Sequence, residues 1–279
     1  MIKVNGFEIK TGTFTDGTIK FDSSSEWKQK FYSAVSPTDI KISWKYENDT
    51  ELFKLMCIVD MIKRFGKKTS MTLDMLYIPN ARQDRVYSAE ESFSLKVFAS
   101  VINSLHFDSV RVLDPHSNVS VALLDNVEVV SVEYYFLRRV NYKLSEMNKH
   151  IDMIVCPDAG AHKRYGKVKA FGENIPHYFG NKVRNWETGE IEDYQIVASD
   201  KDSFKGKNAI IIDDICSKGD TVKCTAKALK ALGVDNIYLY VSHCENGVDL
   251  ESLSCAGVTH MFTSNSIFNK ESDFVTILD

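Results

Sequence analysis

The chain alternates between two hydrophobic periods, and that alternation sets the expected elements. The opening residues switch between apolar and polar side chains and turn at Asn5-Gly6 and Asp16-Gly17, pairs that supply the positive φ angles of tight hairpins. After Pro37, Ile40-Lys41-Ile42-Ser43-Trp44 reads as a strand. Asn48 or Asp49 then caps a helix running to about Arg64, with Leu52, Leu55, Met56, Val59 and Ile62 as its apolar stripe and Gly66 as its stop. Met71 to Ile78 is the next strand, closed by Pro79, and the charged loop Arg82-Gln83-Asp84-Arg85 follows. Ser92 caps a second helix reaching Leu105, and Val110 to Leu113 forms a strand that ends in Asp114-Pro115-His116-Ser117. Strands and helices exchanging at this spacing predict a parallel sheet covered by helices.

A second round begins near residue 133. A helix over 133–149 leads to a strand, Ile151 to Cys156, ending at Pro157-Asp158-Ala159-Gly160, and a basic, glycine-punctuated segment runs from His162 to Gly172. Residues 179–194 are polar with little apolar periodicity and predict a mobile loop. The run Ala209-Ile210-Ile211-Ile212 suits a strand buried on both faces, and it ends in Asp213-Asp214. A small polar loop then opens a helix from Thr221 to Leu232, stopped by Gly233. Strands at 237–241 and near 258–262, a short helix near 248–253 and a polar tail ending in Phe274 to Leu278 complete the chain. The fold class is therefore α/β, with two similar units expected over 1–132 and 133–263, and with the tail, about 264–279, packing back on the first.

Composition narrows the class of partner. With 44% hydrophobic and 26% charged residues the 279-residue chain matches an ordinary globular protein. A net charge of −4 gives no general attraction for nucleic acid. No apolar run approaches the roughly 20 residues of a membrane span, and the start MIKVNGFEIK lacks the apolar core of a signal peptide. Six cysteines without CxxC spacing argue for a reducing compartment rather than a disulfide or zinc framework. The expectation is a cytoplasmic protein without nucleic-acid or membrane partners.

The chemistry concentrates where the buried strand meets its helix. Open α/β sheets bind ligands outside the carboxyl ends of their strands, and unpaired N–H groups at a helix start favour a phosphate. An adjacent acidic pair can hold sugar hydroxyls or a metal. An acidic pair at a strand end is often only a loop cap, but the small loop and helix start beside this one favour a ribose 5-phosphate moiety.

The form Asp213-Asp214-Ile215-Cys216-Ser217-Lys218-Gly219-Asp220-Thr221 resembles the phosphoribosyl-diphosphate loop of type I phosphoribosyltransferases. Tyr77 to Arg85, followed by Glu91-Ser92-Phe93-Ser94-Leu95-Lys96, resembles the ATP-binding segment of ribose-phosphate pyrophosphokinases, and the likeness extends through most of the chain. Phe14-Thr15-Asp16-Gly17-Thr18 is similar to that family's Phe-Pro-Asp-Gly-Glu adenine loop, and Asn48-Asp49-Thr50-Glu51-Leu52 to its Asn-Asp-Asn-Leu helix start. Asp114-Pro115-His116-Ser117 resembles Asp-Leu-His-Ala, and Pro157-Asp158-Ala159-Gly160 resembles Pro-Asp-Ala-Gly-Gly. Lys182-Val183-Arg184 falls where the family has its catalytic Lys-Arg-Arg.

The resemblance implies two phosphoribosyltransferase-type domains, each a mostly parallel sheet flanked by helices. It implies transfer of the β,γ-diphosphoryl group of ATP to the C1 hydroxyl of ribose 5-phosphate, with release of AMP. It makes Lys182 and Arg184 catalytic, places ATP on Phe14, Asp16, Arg82, Gln83, Asp84 and His116, and assigns Mg²⁺ to His116 and Asp158. Asp213 and Asp214 take the ribose hydroxyls, and Ser217, Lys218, Gly219, Asp220 and Thr221 its 5-phosphate. It also implies a homo-oligomer, a dimer or hexamer, whose adenine loop reaches a neighbouring subunit.

Three departures qualify the match. Thr18 replaces the family's glutamate, Asp220 adds a carboxylate beside the expected phosphate, and the chain is shorter than typical members. Asp220 favours, as an alternative acceptor, a ribose 5-phosphate extended at its phosphate, such as ADP-ribose, whose diester carries less charge. A phosphoribosyltransferase, or a non-catalytic synthetase-associated protein, is a further alternative. Cys216 and Cys224 lie near this loop and need be no more than small packing residues.

Overall fold

A computed structural model of the chain describes residues 1–65, 69–184, 191–198 and 202–279, without the side chains of residues 183, 184, 191–193 and 202. The chain divides into two compact units, Met1–Val130 and Ser131–Asp279.

The first unit opens with β1 (Ile2–Val4) and β2 (Phe7–Glu8), an antiparallel pair turned by Asn5 and Gly6 at φ 45° and 84°. A separate ribbon of β3 (Thr11–Thr13) and β4 (Ile19–Phe21) turns through Gly17 at φ 86°. Helix α1 (Ser25–Val35) lies in a stretch for which the sequence pattern predicts no element. The Ser24 hydroxyl caps it by accepting from the Trp27 N–H at 3.2 Å, and Phe31, Ala34 and Val35 form its buried stripe. There follow β5 (Asp39–Trp44), α2 (Thr50–Arg64), β6 (Ser70–Asp74), α3 (Ser94–Ser104), β7 (Ser109–Leu113), α4 (Asn118–Leu123) and β8 (Val127–Val130). The sheet order is β2-β1-β5-β6-β7-β8, with β5 to β8 parallel.

Its core joins Ile40, Ile42, Leu73 and Val110 of the strands to Leu55, Ile58 and Ile62 of α2 and Leu95, Phe98 and Ile102 of α3. At the start of α2 the expected cap is made by Asn48, whose Oδ1 accepts from the Thr50 N–H at 3.1 Å, and not by Asp49, while Phe93 before α3 makes no cap hydrogen bond. A missing cap costs about 1 kcal/mol, whereas each buried Leu, Ile or Phe contributes about 1.5–3 kcal/mol, so the apolar stripe holds α3. Helix α3 accordingly starts two residues after the expected cap at Ser92.

The second unit begins with a π-helical turn, Glu133–Leu137, that runs into α5 (Arg138–Glu146) where one continuous helix was expected. Next come β9 (Met153–Cys156), α6 (Ala159–Tyr165), β10 (His177–Arg184), β11 (Ile191–Val197), β12 (Asn208–Cys216) and α7 (Asp220–Ala231). The chain closes with β13 (Asn236–Cys244), α8 (Leu250–Cys255), β14 (His260–Ser264) and β15 (Val275–Leu278). The sheet runs β11-β10-β9-β12-β13-β14-β15, and all neighbours are parallel except β10 and β11. Strands β10 and β12 leave β9 on opposite sides, which makes the crevice beyond β9 and β12 the switch point of an open α/β sheet.

Three expectations are corrected here. Residues 179–184 and 191–194 are strand rather than loop, and 185–190 lie outside the described residues. Strand β10 continues past Phe179, its last residue paired with β9, and from Gly180 to Arg184 pairs with β11. The ribbon buries Gly180 and Ile196, with Tyr194 packed on the same core, too few apolar positions to set an alternating pattern, which is why the segment looked unstructured. The tail belongs to the second unit rather than the first, since Val275–Leu278 adds to β14 and buries Leu278. Finally, Asp213 and Asp214 lie within β12, whose ladder with β13 continues to Cys216. No helix among the described residues is long and apolar enough to cross a membrane.

Candidate active site

Three chain segments of the second unit bring charged groups to the carboxyl ends of neighbouring strands. Strand β9 is fully buried to Cys156, and Pro157 and Asp158 follow at its end. Asp158 caps α6, its Oδ1 accepting from the Ala161 N–H at 2.9 Å. Its Oδ2 accepts from Lys182 Nζ at 2.5 Å, a pair whose side chains are 23% and 32% exposed. Burial works to raise the Asp158 pKa, but the Lys182 ammonium and the N–H groups of Ala161 and Gly160 outweigh it and hold the carboxyl below its ordinary value. The carboxylate is therefore ionised at neutral pH, with a cation held against it.

The acidic pair on β12 is asymmetric. Asp214 is buried and its Oδ1 meets Arg164 Nη2 at 2.5 Å, while Asp213 Oδ1 lies 3.9 Å from the same nitrogen. Asp213 Oδ1 also accepts from the Asp214 N–H at 2.9 Å. Burial, followed by the charge of Asp214, pushes the Asp213 carboxyl well above the ordinary carboxylate value. Arg164 comes from α6, the helix that Asp158 caps, so one short helix serves both acidic groups. The sequence pattern did not single Arg164 out. Its signal was the basic run His162-Lys163-Arg164, but only the packing of α6 shows which of these cations faces the acidic pair.

Beyond β12 the loop turns through Gly219 at φ 78°, and a Cβ there would also meet Leu253 Cδ2 at 2.9 Å. The left-handed backbone is what calls for glycine, since the Leu253 methyl could shift aside. Helix α7 opens at Asp220, one residue earlier than expected, and Asp220 Oδ1 pairs with Lys223 Nζ at 2.7 Å. An acidic residue in a first helical turn is favoured by the helix dipole. Asp220 thus has a structural reason to be present, and its partner is Lys223 rather than Lys218. Ser217 is half-buried and Lys218 exposed, and Thr221 sits in the first turn of α7. Cys216 is buried, its thiol pushed up to about 12 chiefly by desolvation, which fits a packing residue.

In the first unit, the expected nucleotide residues occupy loops at strand ends. Phe14 is 51% exposed at the turn of the β3–β4 ribbon, with Lys20 Nζ 5.4 Å from its ring centroid. Asp16 Oδ1 accepts from the Thr18 N–H at 3.0 Å and its hydroxyl at 2.7 Å, so the residue that departs from the family pattern locks this turn. Arg82 and Gln83 are exposed in the loop after β6, whereas Asp84 is buried and accepts from Arg85 Nε at 2.9 Å. Burial opposes ionisation of Asp84, but Arg85, with Ser117 and His116 beyond β7, holds its carboxyl below the ordinary value. Asp84 is thus a loop anchor, and Arg82 and Gln83 are the exposed members of the motif. The Arg184 side chain lies outside the described residues.

Among known proteins, the phosphoribosyl transferase domain family matches residues 136–271. A ribose-phosphate pyrophosphokinase of Saccharolobus solfataricus is 26% identical over 271 residues, covering 97% of this chain and 88% of that protein. One from Methanobrevibacter smithii is 26% identical over 230 residues, covering 80% and 75%. The crystal structure of phosphoribosylpyrophosphate synthetase from Mycobacterium smegmatis has the same fold, with a TM-score of 0.71 at 19% identity over 97% of this chain and 85% of that one. Residues 136–271 thus form a phosphoribosyl transferase domain, and the likeness to ribose-phosphate pyrophosphokinases runs through both units rather than only the one carrying the acidic turn.

Proposed function

We propose that this chain transfers the β,γ-diphosphoryl group of ATP to the C1 hydroxyl of ribose 5-phosphate. The C1 oxygen bonds to the β-phosphorus, the bond from that phosphorus to the α,β-bridging oxygen breaks, and the hydroxyl proton is lost. The products are 5-phosphoribosyl 1-diphosphate and AMP. The observation that carries the reading is Lys182 held on Asp158 in the unit whose next strand bears the acidic turn. A sugar-phosphate turn alone would suit a phosphoribosyltransferase; a cation poised on a neighbouring strand supplies what diphosphoryl transfer needs. That reaction demands positioning and neutralisation of charge spread over phosphate oxygens.

In this reading Asp213 and Asp214 face the ribose hydroxyls, and Ser217 to Thr221 with the N–H groups opening α7 take the 5-phosphate. Lys182 and Arg184 stabilise the charge on the transferring group. Arg82, Gln83, Phe14 and Asp16 hold ATP in the first unit. Asp158 fits Mg²⁺, being an ionised carboxylate beside a cation it can exchange. Among the described residues no group of three or more His, Cys, Asp or Glu side chains forms a protein cage for a metal, so the phosphates would complete its shell. His116, a nitrogen donor, suits this hard cation only through water. Bound Mg²⁺ would neutralise charge on the ATP phosphates.

Because Lys223 already offsets the Asp220 carboxylate, a terminal phosphate monoester meets less repulsion than the sequence implied, and ribose 5-phosphate is the preferred acceptor. Incubation with ATP, Mg²⁺ and either ribose 5-phosphate or ADP-ribose, followed by mass spectrometry of AMP and the new diphosphate, tests the reading. AMP formed with ribose 5-phosphate supports it, AMP formed only with ADP-ribose moves the acceptor, and no AMP with either sugar defeats it.

A further inference from the structure

Tyr194 stands on β11 directly opposite Lys182 on β10, so the two side chains leave the same face of the ribbon. At this level β9 no longer holds β10, whose last partner there is Cys156 opposite Phe179. A free two-stranded ribbon is marginal in water. Something else must fix the lysine's backbone.

The Tyr194 hydroxyl lies 3.0 Å from the Pro157 carbonyl oxygen and 2.6 Å from Thr225 Oγ1. Pro157 immediately precedes Asp158, the residue that pairs with Lys182. Thr225 belongs to α7, and its hydroxyl lies 2.8 Å from the carbonyl oxygen of Thr221, the last residue of the phosphate-facing loop. With one proton on each hydroxyl, Tyr194 donates to Pro157 and accepts from Thr225, for which the Thr221 carbonyl is the alternative acceptor. Burial raises the phenol above its ordinary pKa, so it keeps its proton at neutral pH. The ring reaches this position only because residue 180 is glycine. A Cβ there would sit 1.8 Å from the Tyr194 oxygen and 2.7 Å from the Pro157 carbonyl oxygen.

We propose that Tyr194 is a positioning residue for Lys182, tying the ribbon that carries this lysine both to the Asp158 turn and to the helix that opens the sugar-phosphate loop. The connection closes on itself. Lys182 meets Asp158 by an ion pair, Asp158 follows Pro157 in the chain, Pro157 accepts from Tyr194, and Tyr194 faces Lys182 across the ribbon. The inference rests on the diphosphoryl transfer proposed above, in which Lys182 acts on the transferring group.

The test is Tyr194→Phe, which keeps the ring over Gly180 and removes only the hydroxyl, with Thr225→Val as an independent probe of the same chain. Losing the hydroxyl and its two contacts should lower kcat about tenfold. KM for ATP and for the sugar phosphate should stay within about twofold, because substrate binding is not what the clasp controls. Hydrogen exchange of the backbone amides of residues 180–184 should quicken about tenfold in the absence of substrate. The double variant should lose little beyond Tyr194→Phe alone, since both hydroxyls act through one chain. An unchanged kcat, with or without faster exchange, overturns the proposal, as does a loss confined to KM. Wild-type protein that forms no AMP overturns the functional reading instead, and the clasp then stands or falls on the exchange rates alone.

Discussion

Replacing Arg164 by Met isolates the electrostatics of the acidic pair, because Met keeps an apolar stem along α6 and loses only the charged head. Asp214 is 6% exposed at its side chain and has Arg164 at 2.5 Å, and Arg164 is itself 25% exposed. Removing one partner of a fully buried pair costs about 3–5 kcal/mol, since the other charge is left desolvated. The partial exposure of the arginine and the other polar contacts of Asp214 reduce this to about 2–4 kcal/mol. At about 2–4 °C per kcal/mol for a unit of this size, the melting temperature should fall by about 4–16 °C. Thermal unfolding of the full chain, followed by circular dichroism, reads it. The loss should be nearly the same at low salt and near 1 M, as a buried pair is poorly screened. Adding Asp214→Asn to the Arg164→Met chain removes the stranded charge and should recover more than half of the loss. A single variant that melts with wild type, or a double variant with no recovery, would refute this account.

Lys182→Ala should lower kcat about 10²–10³-fold while leaving the KM for ATP nearly unchanged, measured as AMP release, because the ammonium is assigned to the transition state. The same variant tests a pH dependence. Asp158 has a folded pKa below its unfolded one, so its stabilisation is present above the unfolded value and disappears as pH falls through the folded value. The stability gap between wild type and Lys182→Ala, on the order of 1 kcal/mol at neutral pH, should close in acid. Asp213 has the opposite sign, its folded pKa being raised, so its charge destabilises the fold increasingly as pH rises above the unfolded value. Asp213→Asn should therefore be more stable than wild type at pH 8 and equal to it near pH 3, by urea unfolding, while losing affinity for the sugar. Gly219→Ala should cost about 1–2 kcal/mol from the left-handed backbone alone and raise the KM for the sugar phosphate.

By itself the sequence determined the layered α/β architecture, the doubled unit and the buried strand that carries Asp213-Asp214. These rest on local signals: runs of Ile, helical stripes, turn pairs such as Asn5-Gly6, and motifs contiguous in the chain. What it could not determine were features whose physical cause is a partner far away in sequence. The β10–β11 ribbon looked like a loop because it rests on cross-strand pairing and on a few contacts, Ile196 and Tyr194 among them, rather than on a continuous apolar face. The C-terminal strand joined β14 because that edge had unpaired backbone groups to satisfy, a fact no local pattern records. Arg164 was one cation among several until α6 turned it toward Asp214. Asp220 looked like a charge in conflict with a phosphate until α7 placed Lys223 one turn below it. The motifs proposed to carry the chemistry were legible; which charges face each other was decided by tertiary packing.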